Sequence, residues 1–243
     1  MKSLYLASLA LLLFVGQISA QEHYWQFDEG TGNIARDSKG GRRNSVNGVL
    51  NNAQWRDLSK VGPGAAVRIT GADNSYVSFG NNIGQFGRGD FTLAFWFQTR
   101  DNSVPLVDLV GNRASPGHGN FFAVRLSSDG YVSAEVDQDA AGTNYIGVRS
   151  SQNRLNDGNW HSVIVTRIGR TLTLYIDGKA SNSGTANGVA NINNRNVFKI
   201  GRSLVDRNTP RFAPDALFDD LAIWNYGMGA FEAQLWWQRA TNQ

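Results

Sequence analysis

The segment SAEVDQDAAG, Ser133 to Gly142, puts Glu135, Asp137 and Asp139 at alternate positions. On a β-strand alternate side chains project from one face, so a strand here lines up three carboxylates. A pair of such groups is what a glycoside hydrolase uses as nucleophile and general acid. Spacing argues against that use. The ends of the row lie about 13 Å apart at Cα on a strand, whereas a retaining enzyme holds its carboxyl groups about 5–5.5 Å apart. Asp139 also opens DAAGTN, whose composition is that of a turn. The favoured expectation is the solvated side of a hairpin between Tyr131 and Ser150. Catalysis by Glu135, Asp137 and Asp139 is the alternative.

Two other groups of residues carry chemistry. RDSKGGRRNSVNG offers Asp37, Asn44 and Asn47 beside turn glycines. If the terminal strands pair, Asp28, Asp219 and Asp220 approach them and supply oxygens for a structural calcium ion. The same residue types also hydrogen-bond their own turns, which needs no metal. Further on, Arg195, Lys199, Arg202, Arg207 and Arg211 face a single acid, Asp206. Gathered on a rim they would attract sulfated or carboxylated glycans; spread out, they are a solvated loop and strand edge. Arg88-Gly89-Asp90 is an integrin-type triplet, but it stands at the entrance of a strand. The three histidines, His23, His118 and His161, lack metal-ligand spacing, and no serine or cysteine nucleophile motif occurs.

The elements that must position these groups are mostly strands. FTLAFWFQT (Phe91–Thr99), NFFAVRL (Asn120–Leu126), YVSAEVD (Tyr131–Asp137), NYIGVRS (Asn144–Ser150), HSVIVTRI (His161–Ile168), TLTLYID (Thr171–Asp177) and DLAIWN (Asp220–Asn225) read as strands. SDG, IGR and IDGK supply turn chemistry between them. MGAFEAQLWWQRA is the one helical pattern, with Phe231, Leu235 and Trp236 on one face. Short strands between Gly, Asn, Asp and Ser clusters indicate an all-β sandwich with a short C-terminal helix.

Ahead of these lies Lys2, then LYLASLALLLFVG and QISA, which reads as a secretory signal peptide cleaved after Ala20. Residues 21–243 then form one secreted domain. The apolar run is short for a bilayer span, and no second run implies membrane insertion. Cysteine is absent, so no disulfide staples the domain. A formal charge of +3 without an aromatic-basic sheet motif gives no case for nucleic acid.

YWQFDEGTGNIARDSKGGRRNSVNGVL, DFTLAFWFQT, LNDGNWHSVIVTRIGRTLTLYIDGK and FDDLAIWNYGM resemble, in order, the motifs of the laminin-G-like jelly rolls in the concanavalin A-like lectin superfamily. Pentraxins are more distant relatives. The resemblance implies a jelly-roll sandwich with paired termini and with Trp25, Trp96, Trp160 and Trp224 in its core. Some glycosidases of that superfamily carry Glu-x-Asp-x-Glu; Glu135 and Asp137 match its first two positions, and Asp139 replaces the third. The pentraxin calcium positions fall near His118-Gly119 and Arg202-Ser203, which bring no carboxylate, and the laminin-type rim aspartate falls near Asn120. The fold hosts lectins, adhesion modules, lyases and glycosidases alike. The expected function is a secreted, non-enzymatic module that binds carbohydrate, with Arg195, Arg202, Arg207, Arg211 and Asn120 as ligand contacts and calcium as the candidate ion. A polysaccharide-active enzyme and a module for an extracellular protein partner are the alternatives.

Overall fold

A computed structural model describes residues 22–39, 45–72, 74–114, 116–202 and 213–241. The signal-peptide expectation, Asn44, Arg207 and Arg211 all lie outside the described residues. Strands are numbered in chain order. The first sheet runs β14 (Lys179–Thr185), β13 (Thr171–Ile176), β12 (Trp160–Ile168), β7 (Phe91–Thr99), β16 (Asp215–Trp224), β5 (Ala66–Thr70) and β4 (Gln54–Arg56), with β1 (His23–Trp25) also on β16. The second runs β11 (Ile146–Arg149), β10 (Val132–Asp137), β9 (Phe121–Ser127), β8 (Leu106–Gly111), β15 (Lys199–Ile200), β6 (Tyr76–Ser78), β3 (Gly48–Asn51) and β2 (Ile34–Ala35). One helix, α1 (Ala230–Thr241), follows β16.

Period-two alternation builds the core. Phe91, Leu93, Phe95 and Phe97 of β7, with Val163 and Val165 of β12 and Leu172, Leu174 and Ile176 of β13, turn inward from the first sheet. Phe122, Val124 and Leu126 of β9 and Val132, Ala134 and Val136 of β10 meet them from the second. The paired antiparallel sheets are the sandwich expected from the sequence.

The termini close onto one strand. β16 pairs with β5 through Asp215–Phe218 and with β1 through Leu221–Ile223. Between these two pairings Asp219 and Asp220 form an irregularity, with Asp220 at φ +49°. Asp and Asn tolerate this left-handed conformation better than other non-glycine residues.

The outer face of the first sheet carries α1. Ala233, Trp236 and Ala240 are its buried stripe, and Trp236 meets Trp224 edge-on, with ring centroids 4.8 Å apart. Phe231, expected on that face, is instead 60% exposed. The two alanines let the helix sit close to the sheet, which rotates Phe231 out. Gly178, at φ +73°, is needed here: a Cβ on it would stand 2.9 Å from Cβ of Trp237. Trp25, Trp96 and Trp224 are core residues as expected, whereas Trp160 is only half-buried.

His161, at the start of β12, is clamped by two acids, Asp177 at 2.9 Å and Asp157 at 3.2 Å. Burial lowers its pKa, but the hydrogen bond and charge of Asp177, seconded by Asp157, outweigh that and leave it above 6.5. A raised pKa in the folded state contributes stability that is fully present below pH 6.5. That contribution is lost as the pH climbs through the raised value. NMR titration should therefore place the imidazole midpoint above 6.5, and His161→Gln should flatten the decline of Tm above that pH. A midpoint below 6.5 contradicts the clamp.

Candidate functional site

The three carboxylates of the opening row separate in the fold. Glu135 and Asp137 lie on β10 and project from the outer face of the second sheet, since Val132, Ala134 and Val136 take the core side. Asp139 sits in the hairpin turn, where its Oδ1 accepts from the backbone N–H of Ala141 and Thr143. Those bonds hold its carboxyl below the usual carboxylate range. The outward hairpin placement matches the sequence reading. Its solvation does not: Asp137 is fully buried and the Glu135 side chain is only 14% exposed.

What shields them is a charged network that the sequence did not announce. Arg113 Nη1 donates to Glu135 Oε2 at 2.9 Å, and Arg125 approaches Oε1 at 3.5 Å. Arg125 also pairs with the buried Asp108 of β8 at 3.2 Å. Arg113 donates to the carbonyl of Gly117 and lies over the Phe121 ring, 4.2 Å from its centroid. Asp137 bonds His118 Nδ1 at 2.6 Å and accepts from the amides of Gly119 and Gln138. His118 then meets Tyr145 edge-on at 5.0 Å. Both oxygens of Glu135 are thus engaged by guanidinium groups, and Asp137 orients a histidine. This arrangement fixes a surface and presents neither carboxylate as a nucleophile.

Two aromatic side chains stand proud of that network, His118 with 49% of its side chain exposed and Tyr145 with 40%. Further along the same face, the guanidinium of Arg149 lies 3.6 Å over the ring of Tyr131. Across the same sheet Lys199 caps the ring of Tyr76 at 4.5 Å. Burial and the charge of Arg202 lower the pKa of Lys199. Rings, guanidinium forks and amides on one sheet face are the groups that stack on and hydrogen-bond sugars.

The remaining candidates divide. Asn120 is a strut: it donates to the carbonyl of Asn191 and accepts from Asn194. Arg195 is exposed and Arg202 half-buried beside Lys199. Asp37 is saturated by donors from His23, Tyr24, Lys39 and Val46, and its own N–H donates to Asn47, so it serves its turn and leaves little for a cation.

Asp28, Asp219 and Asp220 lie near the bulge of β16. Oδ2 of Asp219 accepts from the amides of Lys60 and Val61 and from Ser59 Oγ. Asp220 takes the Tyr24 hydroxyl and faces Arg239 of α1 at 3.5 Å, but its Oδ2 has no hydrogen-bond partner among the described residues. Burial, and for Asp219 the charge of Asp220, hold both carboxyls well above the usual carboxylate range. Among the described residues no three His, Asp or Glu side chains converge as metal ligands.

Arg113, Arg125, His118 and Tyr145 were missed in the sequence. One signal was available: a lone Asp108 inside the apolar run LVDLV, which on a buried strand demands a cationic partner.

No curated protein matches the sequence significantly. Among solved structures, the binding domain of Paraclostridial Mosquitocidal Protein 1 superposes with a TM-score of 0.69 at 19% identity, covering 89% of this chain and 51% of that one. A structure described as showing that cell entry of botulinum neurotoxin type C depends on interaction with two ganglioside molecules gives 0.69 at 12% identity, covering 90% and 51%. The botulinum neurotoxin serotype D ligand binding domain in complex with N-acetylneuraminic acid gives 0.65 at 13%, covering 90% and 50%. The chain therefore spans about half the length of these domains, and the likeness establishes the fold. Residues 70–233 match the laminin-G model described as the concanavalin A-like lectin/glucanases superfamily, and to that family the chain belongs.

Proposed function

We propose that this protein is a secreted, non-enzymatic carbohydrate-binding module, and that glycan docks on the outer face of the second sheet around Tyr145 and His118. The observation that carries this reading is the pair of exposed rings held on a pre-ordered network of Arg113, Arg125, Glu135 and Asp137. A rigid polar face with projecting rings lowers the ordering cost of binding a flexible sugar. The sugar ligands named for structural neighbours, a ganglioside and N-acetylneuraminic acid, support the same ligand class. Arg195, Lys199 and Arg202 favour an anionic glycan. A structural calcium is part of this proposal, with Asp220, whose Oδ2 has no hydrogen-bond partner among the described residues, as the carboxylate that has an oxygen to give it.

A glycan array, probed with and without chelator, tests the proposal. Binding without product release is the expected result, with Tyr145→Ala weakening it about tenfold, the scale of one lost stacking contact. Sugar release that disappears in Glu135→Gln would make the protein an enzyme. Silence on every glycan would leave a protein partner as the better reading.

A further inference from the structure

Helix α1 covers only part of the outer face of the first sheet. Beyond it a lateral row of Gln54, Arg68, Leu217, Gln98 and Trp160 crosses β4, β5, β16, β7 and β12 in register. Over the middle of this row, at Arg68, Leu217 and Gln98, lies a cleft of about 650 Å³, whose lining also includes Arg100, Asp101, Gly158 and Asp215, with Trp160 next to it on β12. That volume falls within the range of small-ligand sites, about 300–1,000 Å³.

The charges in the cleft are unequal in what they offer. Arg68 and Asp215 satisfy each other through two parallel bonds, Nε to Oδ1 at 2.9 Å and Nη2 to Oδ2 at 2.7 Å. Asp101 is held by the amides of Asp215 and Ser103. Gln98 donates to the carbonyl of Gly158 at 2.8 Å, which fixes its amide. Arg100 is exposed and makes no ion pair among the described residues. Its guanidinium lies against the bare α-carbon of Gly158, at φ +87°, where a Cβ would stand 2.5 Å from Cζ. The glycine thus admits the guanidinium to its resting place. An exposed planar cation packed on the Gly158 backbone, with no ion pair among the described residues and a braced amide in the same cleft, matches a carboxylate attached to a hydroxylated ring.

We propose that this cleft is a second ligand site, separate from the face of the second sheet, and that it binds an acidic sugar unit. The carboxylate sits on Arg100, and ring hydroxyls meet Gln98 and the outer edges of the Arg68–Asp215 pair. Uronic and sialic acids share this chemistry.

The test is an NMR titration of the protein, following the side-chain amide of Gln98 and the indole of Trp160. Glucuronate and N-acetylneuraminate are the two acid probes, with glucose and acetate as the neutral sugar and the bare anion. One acid should give saturable shifts at both reporters, its identity naming the source. Arg100→Gln should weaken it about tenfold or more, as expected for a charge-assisted bond. Tyr145→Ala, on the other sheet, should leave these shifts unchanged even if it abolishes glycan binding there. The proposal falls if neither acid shifts the reporters, if acetate or glucose matches them, or if Arg100→Gln binds as well as the parent.

Discussion

Replacing Arg167 by methionine is expected to cost about 3–5 kcal/mol, because it leaves several carbonyl oxygens without a donor at about 1–3 kcal/mol each. The residue is at the end of β12 and only 2% exposed. It points toward the core side of the sheet, where Val163 and Val165 also point. Its Nε donates to the carbonyl of Gly89, Nη1 to Ala190 and Nη2 to Gly87 and Phe86, while the guanidinium lies over Phe91. Burial draws its pKa down to about 10 despite the nearby Asp90, so the group stays charged at neutral pH. Methionine fills the space and leaves those carbonyls without a donor. A domain of this size loses roughly 2–4 °C of Tm for each kcal/mol, so a fall of about 6–20 °C should appear in a thermal melt. Lysine should recover little, because one ammonium cannot span carbonyls from two loops. A change of less than about 1 kcal/mol in Arg167→Met would show that those carbonyls find water instead. The same clamp bears on the Arg88-Gly89-Asp90 triplet. Its Gly89 carbonyl is held by Arg167, and its Asp90 carboxylate accepts from the amide of Gly169, so the loop is tied down at two of its three residues.

Arg167 also marks where the sequence stops being legible. HSVIVTRI alternates cleanly, and the inward turn of Val163 and Val165 follows from period two. The same alternation sends Arg167 inward, but nothing local names its partners, which lie 78 to 81 positions upstream and 23 downstream. The row of Glu135 and Asp137 fails in the same manner. Their common face was evident from spacing, whereas Arg113, Arg125 and His118 come from a loop and a neighbouring strand. Their pairing is a tertiary fact, and it turns an expected solvated edge into a buried network. Strand existence and hairpin turns were legible because each rests on residues within one or two strands, whereas the pairing of the termini followed only from the family resemblance. Phe231 shows the converse error: helical periodicity placed it on the buried face, and the close approach of Ala233 and Ala240 chose a different stripe.

The distribution of polar groups between the two outer faces gives the second large effect a functional meaning. Trp236 is fully buried beneath α1, edge-on to Trp224 and Tyr24 and covered by the guanidinium of Arg239. Trp236→Ala is expected to cost about 3–5 kcal/mol. Its indole Nε1 has no hydrogen-bond partner among the described residues, so Trp236→Phe loses only contact area and should cost about 1–2 kcal/mol. With chelator present, the loss in Trp236→Ala should also depend on pH. Asp219 and Asp220 are raised by burial, amid Asp28, Tyr24, Lys60 and Arg239. Raised carboxyls favour the fold while protonated, and that advantage disappears as the pH rises through their folded values. A helix that loosens rehydrates them and removes that low-pH advantage, so the alanine variant should fall further below the parent at pH 5 than at pH 9. Chemical denaturation at both pH values measures the difference, and a larger deficit at pH 9 would refute it. The proposed glycan face around Tyr145 lies on the opposite sheet, so any binding there should survive in Trp236→Ala below its lowered Tm. Loss of binding in a variant that still melts cooperatively would place the sugar on the helix-bearing face instead.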